Sequence, residues 1–156
     1  MTEASNLRPA VSVATVVERD GLYLLVEEET RAGLRLNQPA GHLEAGETPA
    51  QGAVRETLEE SAWRVDVTHL VGIYIWQPRD SHRAYLRFAF AADARVHDGA
   101  RKLDDGIVRT LWMSPDEIRA QVTRHRSPMV MRCVDDHVAG RRLPLDWIAN
   151  IVDASR

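Results

Sequence analysis

The sequence is almost free of cysteine, because Cys133 is its only one. This excludes a disulfide framework within the chain and a zinc site built from cysteines. Long apolar runs are also missing, and none approaches the roughly 18 residues that a membrane span requires. The N-terminus, MTEASNLRPA, has no basic stretch followed by an apolar segment, so no secretory signal is visible. We therefore expect a cytoplasmic domain.

The sequence also has no large excess of charge of one sign, since the formal net charge is only −3. Such a balance gives no general attraction to nucleic acid or to an anionic membrane, and we expect neither as a partner. The length of 156 residues fits one compact domain. We expect this domain to span residues 1–156, with residues 1–9 as a flexible tail.

Alternating and β-branched segments predict a set of strands. Residues 27–36 are charged and indicate an exposed loop, and NQPAGHLEAGE predicts a structured loop with a short strand at each end. Because strands lie on both sides of helical segments, the order of elements predicts a layered α/β domain. The expected strands are Val11–Val17, Leu22–Val26, Val65–Trp76, Ala84–Ala92 and Ile107–Met113.

The clearest local signal predicts a helix from Thr48 to about Ser61, since Thr48 and Gln51 form a capping box. Small and apolar residues fall on one face of this helix, and carboxylates fall on the opposite side. Two further helices are expected, one after Ser114 and one from Ser127-Pro128 to about Gly140. The packing face holds Ala50, Ala53, Val54, Thr57, Leu58 and Ser61, and the acidic side holds Glu56, Glu59 and Glu60.

The three carboxylates on one helical face repel one another, at a cost of a few tenths of a kcal/mol for each pair. Mg²⁺ or Mn²⁺ would remove this cost, because both ions favour oxygen ligands and both are commonly bound together with substrate phosphates. The alternative is an ordinary solvated acidic face. Arg55 favours the metal site, since it lies four residues before Glu59 and can pair with Glu47 in front of the helix.

The segment from Gly41 to Trp63 resembles the signature box of the Nudix hydrolase superfamily. The matching charged and glycine positions are Gly41, Glu47, Arg55, Glu56, Glu59 and Glu60. Thr57 replaces an aliphatic residue of the box, and its methyl group can still pack. Ala62 replaces the final glycine, where a left-handed helix end costs alanine about 1 kcal/mol. The resemblance implies the Nudix fold, an α/β/α sandwich with a mixed β-sheet.

The resemblance also implies hydrolysis of a diphosphate linked to another moiety, with Mg²⁺ or Mn²⁺ as cofactor. Arg55 and Glu47 resemble the orienting pair. Glu56 is either a further ligand or the group that orients the attacking water. The implied metal ligands are Glu56, Glu59, Glu60 and the backbone carbonyl of Ala40.

A narrower resemblance covers most of the chain from Val11 to about Leu145. NQPAGHLEAGET, LRF and RSPMV…RC…GRRLPL are similar to the NudJ-type phosphatase subgroup. This implies action on nucleoside tri- and diphosphates and on hydroxymethylpyrimidine or thiamine pyrophosphate. The alternatives are a Nudix enzyme for nucleotide sugars or dinucleoside polyphosphates, and a non-catalytic module that binds nucleotides.

Several residues outside the acidic helix are candidates for substrate binding. The amide of Gln38 is a candidate contact for phosphate or a base edge. Arg87 either reaches a phosphate across the site or faces water at its rim. Tyr74 and Trp76 either stack on an aromatic ring or pack in the core, and His42 either touches phosphate or is structural.

Two further pairs of residues have competing interpretations. Asp104 and Asp105 are candidates for an additional acidic group that some Nudix enzymes supply from a loop, or they form a polar turn. Arg126 and Ser127 form a candidate anion site at a helix start, or Ser127 caps that helix.

Overall fold

The structure is a computed structural model that describes residues 6–151. Residues 1–5 of the expected tail lie outside this range, and residues 6–9 have no regular secondary structure. The helices are α1 (Pro49–Ser61), α2 (Pro115–Ala120) and α3 (Met129–Val138), with short 3-10 helices at Val122–Arg124 and Leu145–Trp147. The strands are β1 (Ala10–Arg19), β2 (Leu22–Thr30), β3 (Gly33–Asn37), β4 (Ala40–His42), β5 (Trp63–Trp76), β6 (Tyr85–His97) and β7 (Ile107–Met113).

The strands form one sheet in the order β3-β2-β1-β6-β5, with β4 paired to β1 and β7 paired to β2. β1 and β6 run parallel, whereas the other pairs run antiparallel. The mixed sheet is therefore confirmed. Among the described residues, no helix is both long and apolar enough to cross a membrane.

The two longer helices cover opposite faces of the sheet. Successive side chains of a strand point to opposite faces, and β1 shows the consequence directly. Val16 packs in a cluster with Val130 of α3, whereas Val13 packs with Ala53 of α1 and Phe90 of β6. This arrangement confirms the α/β/α sandwich.

The ends of α1 follow the sequence signals. The Thr48 hydroxyl accepts from the Gln51 N–H, and the Gln51 side chain accepts from the Thr48 N–H, so the capping box is confirmed. At the other end, Ala62 has φ 60° and ψ 11°, and its N–H donates to the Leu58 carbonyl. Alanine thus takes the left-handed conformation that glycine adopts at lower cost.

Thr57 packs as expected, and its hydroxyl also has a defined partner. The side chain is fully buried, and its Oγ1 donates to the Ala53 carbonyl at 2.7 Å. Oγ1 of Thr15 on β1 lies 2.6 Å from Oγ1 of Thr57. Because the single Thr57 proton is used by Ala53, Thr15 is the donor in this pair. The polar replacement in the box is therefore matched by a threonine on the adjacent strand.

The prediction of an exposed loop at residues 27–36 is wrong, because β2 continues to Thr30 and β3 begins at Gly33. The high charge of this segment suggested solvent exposure. Glu27 is nevertheless buried, and its carboxylate accepts from Arg109 of β7, which lies opposite it, and from Arg124. These cations offset the desolvation of the carboxylate, so a charged residue can occupy a central strand.

In NQPAGHLEAGE, β3 ends at Asn37 as expected, but the second short strand, β4, lies in the middle of the segment and not at its far end. The other boundaries differ from the expectations mainly in length. β5 starts at Trp63 directly after α1, and β6 extends to His97. The capping box of Ser114 and Glu117 at α2 is present. α3 begins at Met129, with Pro128 at the cap position, while the Ser127 hydroxyl accepts from the Met129 N–H at 3.3 Å.

The buried threonine pair predicts a specific pattern of stability. We expect Thr57→Val to lower the free energy of unfolding by about 1–2 kcal/mol, because the buried Thr15 hydroxyl then loses its acceptor. The double variant Thr15→Val/Thr57→Val should recover most of the loss, since neither hydroxyl remains. Urea denaturation of the two variants and the unchanged chain measures both effects. A Thr57→Val variant as stable as the unchanged chain would refute the role of the pair.

Candidate active site

The acidic side of α1 is not a solvated face. Glu56 and Glu60 are only 8% and 9% exposed, and Glu59 is partly buried. β4 and the loop after it cover this side of the helix. One side of α1 therefore packs against β1 and β5, and the other side packs against the segment that leads into its first turn. Burial makes the mutual repulsion of the carboxylates more costly than it would be in water.

Arg55 is the cation at the centre of this acidic cluster. Its Nε and Nη2 donate to the two oxygens of Glu47 at 3.0 and 2.8 Å. Its Nη1 donates to Glu56 at 2.8 Å and to Glu59 at 3.0 Å, and Nη2 also donates to the His42 carbonyl at 3.0 Å. All five N–H groups of the guanidinium are therefore used. The predicted contacts of Arg55 with Glu47 and Glu59 are present.

The geometry of the cluster depends on a glycine of β4. A Cβ atom at Gly41 would lie 2.1 Å from Oε1 of Glu56, so only glycine leaves room for this carboxylate. Gly52 has a related role, since a Cβ atom there would lie 2.6 Å from Oε1 of Glu47. Both glycines thus let the backbone approach a carboxylate that contacts Arg55.

Glu60 lies apart from the contacts of Arg55. Its Oε2 accepts from the backbone N–H of Ala40 at 2.9 Å, and within residues 6–151 it forms no ion pair. Burial raises the pKa of Glu60 to about 8, and the nearby charges of Glu56, Glu28 and Asp104 act in the same direction. Burial also raises the pKa of Glu56, although Arg55 opposes the shift.

The donor chemistry of this cluster fits a divalent cation. Glu47, Glu56 and Glu59 share the one guanidinium of Arg55, and within residues 6–151 Glu60 has no ion pair, so the cluster has more acidic groups than positive charge. Oxygen donors in excess of positive charge are the environment that Mg²⁺ and Mn²⁺ prefer. Across residues 6–151, however, no three Asp, Glu, His or Cys side chains are already arranged to hold one ion. Arg55 holds Glu56 and Glu59, and Glu60 turns to Ala40.

A cavity of about 250 Å³ opens beside the acidic cluster. Ala40, Gly41 and His42 line it, and the same β4 residues contact Glu60, Glu56 and Arg55. We call this space the sheet cavity. Its other lining residues come from β1, β2, β3, β5, β6 and the start of α3 and include Ser12, Glu28, Asn37, Trp76, Tyr85, Arg87, Arg126 and Ser127.

Arg87 lies in the wall of the sheet cavity with only 4% of its surface exposed, so a water-facing position at the rim is wrong. Its Nη1 and Nη2 donate to the side-chain oxygens of Gln38 and Asn37, both at 3.3 Å. Gln38 is 1% exposed, and its Nε2 donates to the Val130 carbonyl at 2.8 Å. Because both ends of the Gln38 amide are used inside the protein, it braces Arg87 and does not line the cavity.

The two aromatic candidates on β5 have different environments. Tyr74 packs against the core, and its hydroxyl donates to Asp136 of α3 at 2.8 Å. Trp76 lines the sheet cavity and stacks on Tyr85 of β6, with ring centroids 5.5 Å apart and planes at 22°. His42 is exposed at the edge of the same cavity. The structure thus brings His42 and Trp76 to the cavity and assigns Tyr74 to the core.

The two adjacent aspartates in the loop before β7, Asp104 and Asp105, have different environments. The Asp104 N–H donates to the Glu59 carbonyl at 3.0 Å, and the Asp104 charge helps to raise the pKa values of Glu56 and Glu60. Asp105 is exposed and pairs with Lys102 at 3.3 Å. Only Asp104 is therefore held beside the acidic cluster.

Sequence reasoning missed Ser12, Glu28, Asn37 and Tyr85 as cavity residues. Glu28 was hidden by the assignment of residues 27–36 to an exposed loop, although the alternation of Leu34 and Leu36 was a signal for a strand. Asn37 was hidden by the assignment of NQPAGHLEAGE to a structured loop. Arg126 and Ser127 do reach the sheet cavity. Tyr85 had no signal of its own, because its pairing with Trp76 depends on the register of β5 and β6.

Comparisons with known proteins agree with this geometry. A family model of the NUDIX domain matches residues 6–133. Phosphatase NudJ of Escherichia coli is 36% identical over 143 residues, which is 92% of this chain and 92% of that protein. A solved NUDIX hydrolase from Nitrosomonas europaea is 48% identical, with a TM-score of 0.89 over 92% of this chain and 98% of the other.

A more distant structure, a C. elegans Ap4A hydrolase complex, is 17% identical with a TM-score of 0.63, over 84% of this chain and 98% of the other, and shares the fold alone. The chain belongs to the Nudix hydrolase family. It is accordingly a hydrolase that acts on phosphorus-containing acid anhydrides.

The close approach at Gly41 yields a direct prediction. We expect Gly41→Ala to lower hydrolytic activity by about 100-fold, because the added methyl group displaces the Glu56 carboxylate by an ångström or more. Gly99→Ala is the matched control, since a Cβ atom there meets nothing closer than 4.0 Å. Steady-state rates and urea denaturation of both variants separate loss of activity from loss of fold. Full activity of Gly41→Ala would show that the position of Glu56 is not critical.

Proposed function

We propose that the chain is a Mg²⁺- or Mn²⁺-dependent Nudix hydrolase that cleaves phosphoanhydride bonds of nucleoside tri- and diphosphates. Thiamine and hydroxymethylpyrimidine pyrophosphates are further candidate substrates, and orthophosphate is the expected product. The observation that carries the proposal is a buried acidic cluster with one cation, next to a cavity of about 250 Å³. Similarity over 92% of the chain to a protein named Phosphatase NudJ supports it.

The residues that would hold the ion are Glu56, Glu59 and Glu60, together with the Ala40 carbonyl. Nudix hydrolases generally use divalent metal ions, and the excess of buried oxygen donors described above fits this class of cofactor. A bound ion would neutralise phosphate oxygens and lower the pKa of a water molecule.

The other residues of the cluster would orient these oxygens. Arg55 fixes Oε1 of Glu56, while Oε2 of Glu56 makes no hydrogen bond among the described residues and is free to orient the attacking water. Glu47 takes two N–H groups of Arg55 and so prevents that guanidinium from neutralising Glu56 and Glu59 completely. Burial of the cluster excludes bulk water and strengthens every charge interaction within it.

The proposal predicts loss of activity on removal of one carboxylate or of the metal. We expect Glu59→Gln to lower the turnover rate by about 100-fold or more, since several kcal/mol of charge stabilisation is lost. EDTA should abolish phosphate release, and added Mg²⁺ or Mn²⁺ should restore it. The measurement resolves the products from nucleoside tri- and diphosphates, thiamine pyrophosphate, nucleotide sugars and dinucleoside polyphosphates.

Activity that survives EDTA, or that Glu59→Gln leaves unchanged, would refute the metal mechanism. Cleavage of nucleotide sugars alone, at the internal diphosphate, would refute the proposed substrate class. Tight nucleotide binding without turnover under any metal would indicate a binding module.

The loop before β7 provides a separate test of the acidic cluster. We expect Asp104→Asn to raise the Mg²⁺ concentration for half-maximal activity by about tenfold, because a charge next to Glu56 and Glu60 is lost. Asp105→Asn is the matched control, since Asp105 is exposed and pairs with the exposed Lys102. Metal titrations of activity compare the two variants. Equal behaviour of both variants would show that Asp104 does not act on the metal site.

A further inference from the structure

The sheet cavity adjoins the acidic cluster across β4, and this position determines which part of a substrate would enter the cavity. β4 separates the two spaces by one residue layer, since Ala40 and Gly41 contact Glu60 and Glu56 and also line the cavity. A phosphate chain held at the cluster would therefore direct the remaining moiety into the cavity. Its volume of about 250 Å³ lies just below the roughly 300 Å³ at which pockets for drug-sized ligands begin. The space suits one compact ring system.

One wall of the cavity is aromatic. Trp76 and Tyr85 are cross-strand partners on β5 and β6, and their rings lie nearly parallel. A flat aromatic surface of this kind favours stacking with a planar heterocycle, which contributes affinity without selecting among heterocycles.

The cavity is also lined by residues with polar atoms that have no hydrogen-bond partner in the protein. Within residues 6–151, buried atoms that make no hydrogen bond include Ser12 Oγ, Glu28 Oε1 and Arg87 Nε. Arg126 forms an ion pair with Glu28 at 3.4 Å but without hydrogen-bond geometry, and the two hydrogen bonds of Arg87 go to amide oxygens. A buried guanidinium N–H and a buried carboxylate oxygen without hydrogen bonds are costly unless a ligand completes them.

Glu28 and Arg87 lie close enough that each charge shifts the pKa of the other. A carboxylate accepts from two adjacent N–H donors, and a guanidinium donates to a carbonyl oxygen. Among the common nucleobases, guanine alone presents two adjacent donors, N1–H and N2–H₂, directly beside a carbonyl acceptor, O6. Adenine and cytosine present a single donor on that edge, and uracil presents one donor between two acceptors.

We propose that the sheet cavity binds the heterocycle of the substrate and that Glu28, with Arg87 beside it, selects guanine. This inference rests on the proposed function for the position of the phosphates. Trp76 and Tyr85 stack on the base, Glu28 accepts from N1–H and N2–H₂, and Arg87 donates to O6. Glu28 is thus a specificity-determining residue, and it takes no part in the hydrolytic step.

The test is a calorimetric titration in EDTA, where no hydrolysis is expected, with guanosine, inosine and adenosine 5′-diphosphates. Inosine keeps O6 and N1–H but lacks the N2 amino group. We expect guanosine diphosphate to bind at least about tenfold more tightly than inosine diphosphate, because one hydrogen bond to a charged acceptor is lost. In Glu28→Gln the two affinities should become equal to within about twofold.

Glu29→Gln is the matched control, since Glu29 neighbours Glu28 on β2 but is exposed and does not line the cavity. Its preference for guanine should match that of the unchanged chain. Trp76→Leu should weaken all three ligands to a similar degree, because stacking does not distinguish the bases. Equal binding of the guanosine and inosine ligands, or no measurable binding of either at millimolar concentration, would overturn the proposal.

The titration is independent of catalysis, so its outcome separates the two hypotheses. A guanine preference that depends on Glu28, in a chain that hydrolyses nothing, would support the subsite and refute the proposed function. Efficient hydrolysis with equal kcat/KM for guanosine and inosine diphosphates would support the function and refute the subsite.

Discussion

The structure of the site depends on one constraint: three carboxylates are held around a single guanidinium in a partly buried space, and a fourth acidic group lies beside them. Arg55 has enough N–H groups to orient Glu47, Glu56 and Glu59 but not enough charge to neutralise them. Glu60 adds a further acidic group that lies outside its reach. Such an arrangement is unfavourable for the isolated chain, and a hard cation with phosphate oxygens would relieve it.

The surrounding fold supplies the rigidity that this constraint requires. α1 is held from one side by the sheet, through Ala53 and the Thr15–Thr57 pair, and from the other by β4. The glycines at positions 41 and 52 let these layers approach the carboxylates closely. The carboxylates are therefore positioned by the packing of the backbone, and substitutions that alter this packing would act on the chemistry from a distance.

The sheet cavity shows a second region in which the protein leaves polar groups unsatisfied. Arg87 is buried with amide partners only, and Glu28 meets Arg126 at a distance beyond good hydrogen-bond geometry. Stable cores normally satisfy such groups internally. The acidic cluster and the cavity thus have a common feature, which is that some of their charged or polar groups are incompletely paired in the free protein. A ligand that completed this pairing would bind favourably.

The sequence alone determined the elements whose causes are local. The capping box of Thr48 and Gln51, the left-handed end at Ala62 and the pairing of Arg55 with Glu47 and Glu59 each depend on residues within a few turns of one helix. The spacing of the acidic residues is also local, and with it the resemblance to the Nudix box. These features were predictable because helix geometry places residues three and four apart on one face.

Tertiary structure decided what depends on pairing between distant segments. Glu27 and Glu28 lie in a strand because β3 and β7 flank β2, and the two arginines that accompany Glu27 come from more than eighty residues away. The burial of Arg87, the loss of Gln38 from the site and the stacking of Trp76 on Tyr85 likewise follow from strand register. A run of charged residues indicates a solvent-exposed segment unless another segment of the chain supplies the opposite charge, because the paired residues can then be buried. Only the fold decides which segments meet.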